Sequence, residues 1–217
     1  MHKLHGFSQS GNTYKVALLL EALQQPWTPV HIPFEAFASG VTRTPAWREA
    51  QNEMGEVPVL EDGDRKLSQS AAIMLHLAAK HGAYAGGNED ERYEVLRWLF
   101  FDNHKFTSAF ASYRYMKSFA PTPPDPAVAQ WLQGRIDGAF GIVEKHLSGR
   151  EFMVGAAPTI ADMSMCGYLY FPVEESGCAI AARYPAIAAW LQRLPQRLPG
   201  WKPPYELLPG TPVPPRW

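Results

Sequence analysis

The sequence contains little cysteine and almost no net charge. Its 217 residues include 2 cysteines, and 20 Lys and Arg side chains face 21 Asp and Glu side chains, for a net charge of −1. A large charge excess favours nucleic acid or an anionic membrane surface as a partner, so neither is predicted here. Cys166 and Cys178 lack CxxC or metal-ligand spacing, and we predict reduced thiols without a redox role and no bound metal.

Long apolar runs are also missing. No stretch approaches the roughly 20 apolar residues that a transmembrane helix needs. The N-terminus has neither a long apolar core nor a small-residue cleavage site. We therefore expect a cytoplasmic protein with no membrane partner. Hydrophobic residues make up 46% of the chain, which is enough to form a sizeable core in one or two domains.

The first candidate site is the hydroxyl-rich stretch at residues 8–16, with sequence SQSGNTYKV. It follows a predicted strand at 3–7 and precedes a run with the apolar spacing of a helix that has one buried face. Ser10 and Asn12 would then lie beside the first-turn N–H groups, where the helix dipole favours an anion. The residues alone leave a second interpretation open, in which Ser10 or Asn12 merely caps the helix.

Alternating strand and helix patterns fill the N-terminal part of the chain. A proline-rich apolar segment at 26–33 suits an edge strand, because proline cannot donate a ladder hydrogen bond. Thr44 and Pro45 are typical of a helix start. An Asp62–Gly63 turn indicates a hairpin within 57–67. The predicted order is β-α-β-α-β-β-α, which indicates a compact α/β domain.

The strand signals stop after a glycine-rich linker at 82–88. Helical patterns follow to the end of the folded region, so we predict an α/β domain at 1–81 and an all-helical domain at 89–217. The last 23 residues hold 8 of the 20 prolines. This composition predicts an extended tail that lies over the body of the protein or is mobile.

This organisation and four motifs resemble the cytosolic glutathione transferases, and the match spans nearly the whole chain. The motifs are Ser10-Gly11-Asn12, Val57-Pro58, Gln69-Ser70 and Thr159-Ile160-Ala161-Asp162. The resemblance implies a thioredoxin-like N-terminal domain, glutathione as the co-substrate and a homodimer. Ser10 matches the catalytic Ser of the serine-type classes. Asn12 matches the Asn of a bacterial branch, the nu-like enzymes, which pairs a hydroxyl with an amide.

The resemblance also implies roles for individual residues. Ser10 and Asn12 would hold the glutathione thiolate. The Val57–Pro58 peptide would be cis, and the Val57 backbone would pair with the cysteinyl part of glutathione as an added strand does. Gln69 and Ser70 would hold the γ-glutamyl end, with Ser70 at its carboxylate.

Two other features concern folding and a departure from the family pattern. Thr159 and Asp162 form a capping box, which we assign wholly to folding. Glu56 departs from the family pattern, because many relatives have Lys or Arg there to hold the glycyl carboxylate. Either Glu56 points away and a cation at Arg43, Arg48 or Lys66 substitutes, or glutathione binds weakly.

The expected activity is transfer of glutathione to a small hydrophobic electrophile, or reduction of an organic hydroperoxide or disulfide. A non-catalytic relative that keeps the fold as a binding module is the alternative, and Glu56 is its best support. Candidate residues for the electrophile pocket are Phe7, Asn103, Phe106, Phe110 and Arg114. Aromatic residues at helical spacing also fit an ordinary core.

Overall fold

The computed structural model describes residues 1–208, 210 and 216–217, which form two compact units. The first unit comprises residues 1–83 with 199–208 and Gly210, and the second comprises 84–198 with 216–217. The linker predicted at 82–88 therefore contains the boundary between them.

A four-stranded mixed sheet forms the centre of the first unit. Its strands are β1 (His2–Gly6), β2 (Trp27–His31), β3 (Val59–Asp62) and β4 (Arg65–Ser68). They lie in the order β2-β1-β3-β4, with β1 and β2 parallel and the other neighbours antiparallel. Leu4 of β1 pairs with Leu60 of β3, and both are fully buried. The proline-rich strand is at the edge, as predicted.

Helices pack against this sheet. They are α1 (Gly11–Ala22), α2 (Phe34–Ala38), α3 (Pro45–Ala50) and α4 (Ser70–His81). Gly6 ends β1 next to α1, and a Cβ atom there would overlap the side chain of Thr13. Glycine therefore lets the strand and the helix approach closely at the candidate site. The capped helix at Thr44–Pro45 is confirmed, whereas α2 was not predicted.

The second unit is all-helical. Its helices are α5 (Glu89–Phe101), α6 (Thr107–Ser118), α7 (Pro126–Leu147), α8 (Ile160–Met165), α9 (Val173–Ser176), α10 (Ile180–Arg183) and α11 (Pro185–Arg197). A π-helical turn, Asp102–Phe106, joins α5 to α6. The carboxylate of Asp102 is buried there and accepts a 2.6 Å hydrogen bond from Ser164. No helix in the described part of the chain is both long and apolar enough to span a membrane.

Part of the C-terminal segment belongs to the first unit. The sequence pattern had predicted that all of 89–217 belongs to the helical domain. Helix α12 (Pro204–Leu207) contacts α1, and the Tyr14 hydroxyl donates a 2.9 Å hydrogen bond to the Lys202 carbonyl. At the other end, Trp217 donates from its indole to the Ala120 carbonyl at 3.2 Å. The predicted tail also includes residues 209 and 211–215, which lie outside the described residues.

Candidate functional site

Ser10 caps α1 and is almost fully buried. Its hydroxyl oxygen accepts a 3.1 Å hydrogen bond from the Thr13 backbone N–H. The prediction that Ser10 caps the helix is therefore confirmed. However, capping uses only a lone pair of the oxygen. Within the described ranges the Ser10 hydroxyl hydrogen has no acceptor, so Ser10 can cap the helix and also donate to an anion.

Asn12 connects the beginnings of α1 and α4. Its side-chain oxygen lies 3.5 Å from the Ser70 hydroxyl, which is the first residue of α4. This long hydrogen bond brings Asn12 and Ser70, which are 58 positions apart, into one cluster. The Asn12 amide nitrogen donates to no residue that the structure describes.

The two helix ends at this cluster have no acid of their own. In the described chain, neither α1 nor α4 has an acidic residue in its first turn. Helix α5, by contrast, has Glu89, Asp90 and Glu91 there. The positive ends of α1 and α4 are thus available for an external anion.

Gln69 precedes α4 in a strained conformation. Its φ of 67° and ψ of 110° lie in a region that side-chain-bearing residues rarely adopt. Such a residue costs on the order of 1–3 kcal/mol and persists where surrounding contacts fix it. Here the Gln69 amide nitrogen donates to the Glu56 carboxylate at 2.8 Å and lies 3.1 Å from the Met54 sulfur.

The orientation of Glu56 follows from this bond. Its carboxylate accepts from Gln69. Whether this bond keeps Glu56 away from the glycyl carboxylate stays a prediction. Asn52, which sequence reasoning missed, fixes the preceding turn: its amide donates to the Glu56 carbonyl at 2.9 Å and its oxygen accepts from the Met54 N–H at 3.1 Å. An Asn three residues before Gly55 is a turn signal that could have identified it.

A cation lies beside this turn. Gly55 has a φ of 71°, and a Cβ there would lie 2.7 Å from the Thr42 carbonyl oxygen and 3.1 Å from Nε of Arg48. Arg48 therefore packs directly against the residue before Glu56. Lys66 is engaged elsewhere, since its ammonium donates to the Ala50 carbonyl at 2.8 Å.

The Val57–Pro58 peptide is cis, as the resemblance implied. Val57 is half-buried and precedes β3. Among the described residues, none pairs with its backbone N–H or C=O. Its main chain is thus open to an extended ligand.

The residues proposed for the electrophile pocket are divided between the two units. Phe7 packs against Phe34 and Phe37 of α2, with ring centroids 5.4 and 5.0 Å apart. Asn103 is exposed in the π-helical turn. Their participation in one pocket stays a prediction.

The other three pocket residues are buried in the second unit. Phe106 and Phe110 stack on Phe140 at 4.4 and 5.6 Å. Nε of Arg114 donates to the Glu175 carboxylate at 2.8 Å, and both side chains are buried. These contacts also fit an ordinary core, so a role for the three residues in an electrophile pocket stays a prediction.

The capping box is confirmed. The Asp162 carboxylate accepts 2.8 Å bonds from the backbone N–H groups of Thr159 and Met153 and a 2.9 Å bond from the Trp190 indole. Its role in the helical core is structural. Both cysteines are free and buried. No group of three or more His, Cys, Asp or Glu among the described residues is arranged to hold a metal ion.

Comparisons with known proteins agree with this architecture. Residues 4–88 match the model for the glutathione S-transferase N-terminal domain, and residues 104–197 match that for the C-terminal domain. A solved glutathione S-transferase from Pseudomonas fluorescens Pf-5 is 32% identical with a TM-score of 0.82, covering 94% of this chain and 98% of that one. One from Xanthobacter autotrophicus Py2 is 31% identical with a TM-score of 0.83, covering 95% and 98%.

A mammalian relative shows the same similarity in sequence. Glutathione S-transferase theta-3 of Mus musculus is 28% identical over 196 residues, which cover 82% of this chain and 80% of that protein. A mixed four-stranded sheet domain followed by a helical domain is the two-domain glutathione-transferase fold. The chain belongs to the glutathione S-transferase family.

Proposed function

We propose that this protein is an active glutathione transferase that binds glutathione across the beginnings of α1 and α4 and uses its thiolate as a nucleophile. The observation that supports this most is the cluster of Ser10, Asn12 and Ser70 at two helix N-termini without first-turn acids. The hydroxyl and amide donors of this cluster lie at the N-termini of two helices, where the helix dipoles give a positive potential. An anionic tripeptide fits that environment.

The γ-glutamyl end would bind at α4. Ser70 is the first residue of that helix, so the first-turn N–H groups and its hydroxyl, on leaving its long 3.5 Å bond to Asn12, can donate to one carboxylate. The strained backbone of Gln69 keeps its side chain beside that position. The open backbone of Val57 would then pair with the cysteinyl residue in the manner of an added strand.

The thiol would be ionised at α1. An unperturbed thiol has a pKa of about 8.5, and donors at a helix N-terminus lower that pKa by stabilising the thiolate. The Ser10 hydroxyl hydrogen and the Asn12 amide are side-chain donors that the described contacts leave available. The residues of this turn include no cysteine, so we propose that the sulfur of glutathione itself is the nucleophile.

The proposed reaction is attack of that thiolate on a small hydrophobic electrophile. A new S–C bond forms as the leaving group departs with its electron pair. With an organic hydroperoxide or a disulfide, the same thiolate attacks oxygen or sulfur, and a second glutathione completes the reduction. Arg48 would supply the cation for the glycyl carboxylate, because it packs against Gly55 while Glu56 is bound to Gln69.

We also propose a homodimer, with α5 and α7 of the second unit at the interface. Phe100 on α5 is 73% exposed and Trp131 on α7 is 60% exposed. Tyr93 and Ile142 extend the exposed apolar surface on the same two helices. If these side chains form one continuous patch on association, they would supply the apolar area that an interface needs.

A turnover screen tests the proposed activity. Glutathione would be supplied with an aryl halide, an epoxide, cumene hydroperoxide and a mixed disulfide, in separate assays against the Ser10→Ala/Asn12→Ala double variant. We expect turnover of at least one substrate by the native chain and its loss in the variant. Retention on immobilised glutathione without turnover of any substrate would instead support a binding protein.

A further inference from the structure

Three histidines and a lysine surround one carboxylate in the first unit, at the beginning of β1 and the end of α4. Asp62 ends β3, which runs antiparallel to β1, so its carboxylate lies beside His2. Nζ of Lys80 lies 2.6 Å from one carboxylate oxygen, and Nε2 of His76 lies 2.7 Å from the other. The ring centroids of His2 and His81 are 6.0 Å apart. These five residues are called the His2 cluster below, and the proposed function does not use them.

Burial disfavours a charge on two of these histidines. His2 is only 5% exposed. Nδ1 of His2 lies 3.3 Å from the Asp62 carboxylate. Within the part of the chain that the structure describes, however, neither this atom nor the buried Nε2 of His81 has a hydrogen-bond partner. Protonation would add a buried charge to each imidazole, so the observed packing suits the neutral form of both.

A single carboxylate serves the whole cluster. Lys80 donates to both oxygens of Asp62, and one of them is also bonded to His76. The negative charge of Asp62 is therefore already balanced by the ammonium of Lys80. The charged and titratable groups around His2 are Asp62 from β3, His76, Lys80 and His81 from α4, and the N-terminal ammonium of Met1. A proton on His2 would add a second positive charge beside one negative charge.

This environment makes the contact between β1 and α4 sensitive to pH. Burial lowers the pKa of the His2 imidazole below its usual value of 6.5; Lys80, His81 and the N-terminal ammonium act in the same direction, and Asp62 opposes them. In an opened, hydrated strand, His2 would take up its proton near pH 6.5. The closed form thus binds fewer protons than the opened form. Its stability is present above pH 6.5 and is lost as the pH falls below that value.

We propose that the His2 cluster is an acid-sensitive contact, which keeps the beginning of β1 against the end of α4 at neutral pH and releases it in mild acid. The same two elements lead to the candidate site at their other ends. Strand β1 ends at Gly6, shortly before the Ser10 cap, and α4 begins at Ser70. Release of β1 should therefore weaken glutathione binding, a consequence that rests on the proposed function.

Hydrogen exchange of residues 2–6 in the full chain, measured from pH 7.5 to pH 5.5 and corrected for intrinsic exchange rates, tests the release of β1. The opened fraction should rise by roughly threefold to tenfold, because one proton changes an equilibrium by at most tenfold per pH unit. His2→Gln has no imidazole to protonate and should abolish the rise. His31→Gln, at the exposed end of β2, is the matched control and should retain it. An equal rise in His2→Gln, or no rise in the native chain, would overturn the proposal.

A second measurement needs no variant. Proton NMR titration of the His2 imidazole in the native chain should give a midpoint below the usual 6.5. A midpoint at or above 6.5 would overturn the proposal, since the closed form would then bind the proton at least as well as the opened form.

S-methylglutathione connects the His2 cluster to the candidate site, because this ligand has no thiol to titrate. Its affinity for the native chain should fall between pH 7.5 and pH 5.5 and should change less in His2→Gln. Equal affinity of the native chain at both pH values would overturn the connection to the site. Failure to bind at either pH would contradict the proposed function, whereas the exchange of residues 2–6 alone decides whether acid releases β1.

Discussion

The side-chain amide of Gln69 donates a 2.8 Å hydrogen bond to the carboxylate of Glu56. This contact joins the beginning of α4 to the turn before Val57, which are the two segments proposed to hold opposite ends of glutathione. It also gives a partner to a carboxylate at a position where the family resemblance leads us to expect a cation. Glu56 is held by a neighbour within the protein, and Arg48 lies on the adjacent side of the turn.

Replacing Glu56 by Gln should therefore improve glutathione binding only modestly. The amide oxygen of Gln can still accept from Gln69, while the negative charge in the turn proposed to lie near the glycyl carboxylate is removed. Exposed like charges about 4 Å apart repel weakly in water, so we expect roughly twofold to fivefold tighter binding at low salt. Titration calorimetry with glutathione measures this change.

The ethyl ester of glutathione serves as the control ligand, because its glycyl carboxylate is blocked. Its affinity should be the same for the native chain and for Glu56→Gln. The gain with glutathione should shrink in 0.5 M salt, which screens exposed charges. Weaker glutathione binding by Glu56→Gln would mean that the carboxylate itself assists the ligand.

Ser70→Ala should lose most of the affinity for glutathione and keep the fold. A hydrogen bond to a charged acceptor contributes about 1.5–3 kcal/mol, so the dissociation constant should rise by roughly 10-fold to 150-fold. Ser148→Ala, at the exposed end of α7, is the control and should bind normally. Calorimetry that gives the same constant for both variants would remove Ser70 from the site.

Asp62 should stabilise the first unit in a pH-dependent way. Burial alone would raise its pKa, but hydrogen bonds from His76 and Lys80 outweigh burial and lower the pKa to about 2. The folded-state pKa thus lies below the unfolded value of 3.8. The resulting stabilisation of about 2 kcal/mol is present above pH 4 and is lost as the pH falls toward 2.

Thermal unfolding of Asp62→Asn at fixed protein concentration measures this contribution. The variant should melt several degrees below the native chain at pH 7, and the difference should narrow between pH 4 and pH 3. Asp64→Asn, at an exposed position two residues further on, should melt like the native chain. A melting difference that stays constant down to pH 3 would show that the loss comes from packing and not from charge.

Trp131→Glu should dissociate the proposed homodimer. A charge at this exposed apolar position of the proposed interface would have to lose its hydration on association, without a partner. Light scattering at micromolar concentration should give the mass of two chains for the native protein and of one chain for the variant. Val41→Glu, an exposed apolar position in the first unit, should remain dimeric. A native monomer would exclude the α5–α7 interface.

Local signals in the sequence predicted much of the fold. Thr44 and Pro45 predict the start of α3, because the Thr44 cap and the fixed φ of Pro45 both act within the first turn of the helix. The edge position of β2 follows from its proline-rich sequence. Helix α2 was missed, since its packing depends on Phe34 and Phe37 meeting Phe7, which is distant in sequence. Residues 199–208 belong to the first unit because of a similar long-range contact, between Tyr14 and Lys202. Local sequence could not predict it.

In the candidate site, too, local motifs could be predicted and contacts between distant residues could not. Motifs identified Ser10, Asn12, Gln69 and Ser70, because each belongs to the beginning of a helix. The direction of Glu56 and the supporting role of Asn52 could not be predicted, since both depend on the path of an irregular turn.

The central claim concerns the division of work between Ser10 and Asn12 at the sulfur of glutathione. If both donate to the thiolate, each single alanine variant retains the other donor and the helix dipole. A hydrogen bond to a charged acceptor contributes about 1.5–3 kcal/mol, and one pKa unit corresponds to about 1.36 kcal/mol. Each loss should therefore raise the pKa of the bound thiol by roughly one to two units.

Ultraviolet difference titration of the bound thiolate tests this claim most directly. The account predicts a partial rise in the thiol pKa for Ser10→Ala and for Asn12→Ala, and a larger rise for the double variant. If only Ser10→Ala shifts the titration, Asn12 has no part in thiolate stabilisation. If all three variants titrate like the native chain while still binding glutathione, the thiol is activated elsewhere and the account is contradicted.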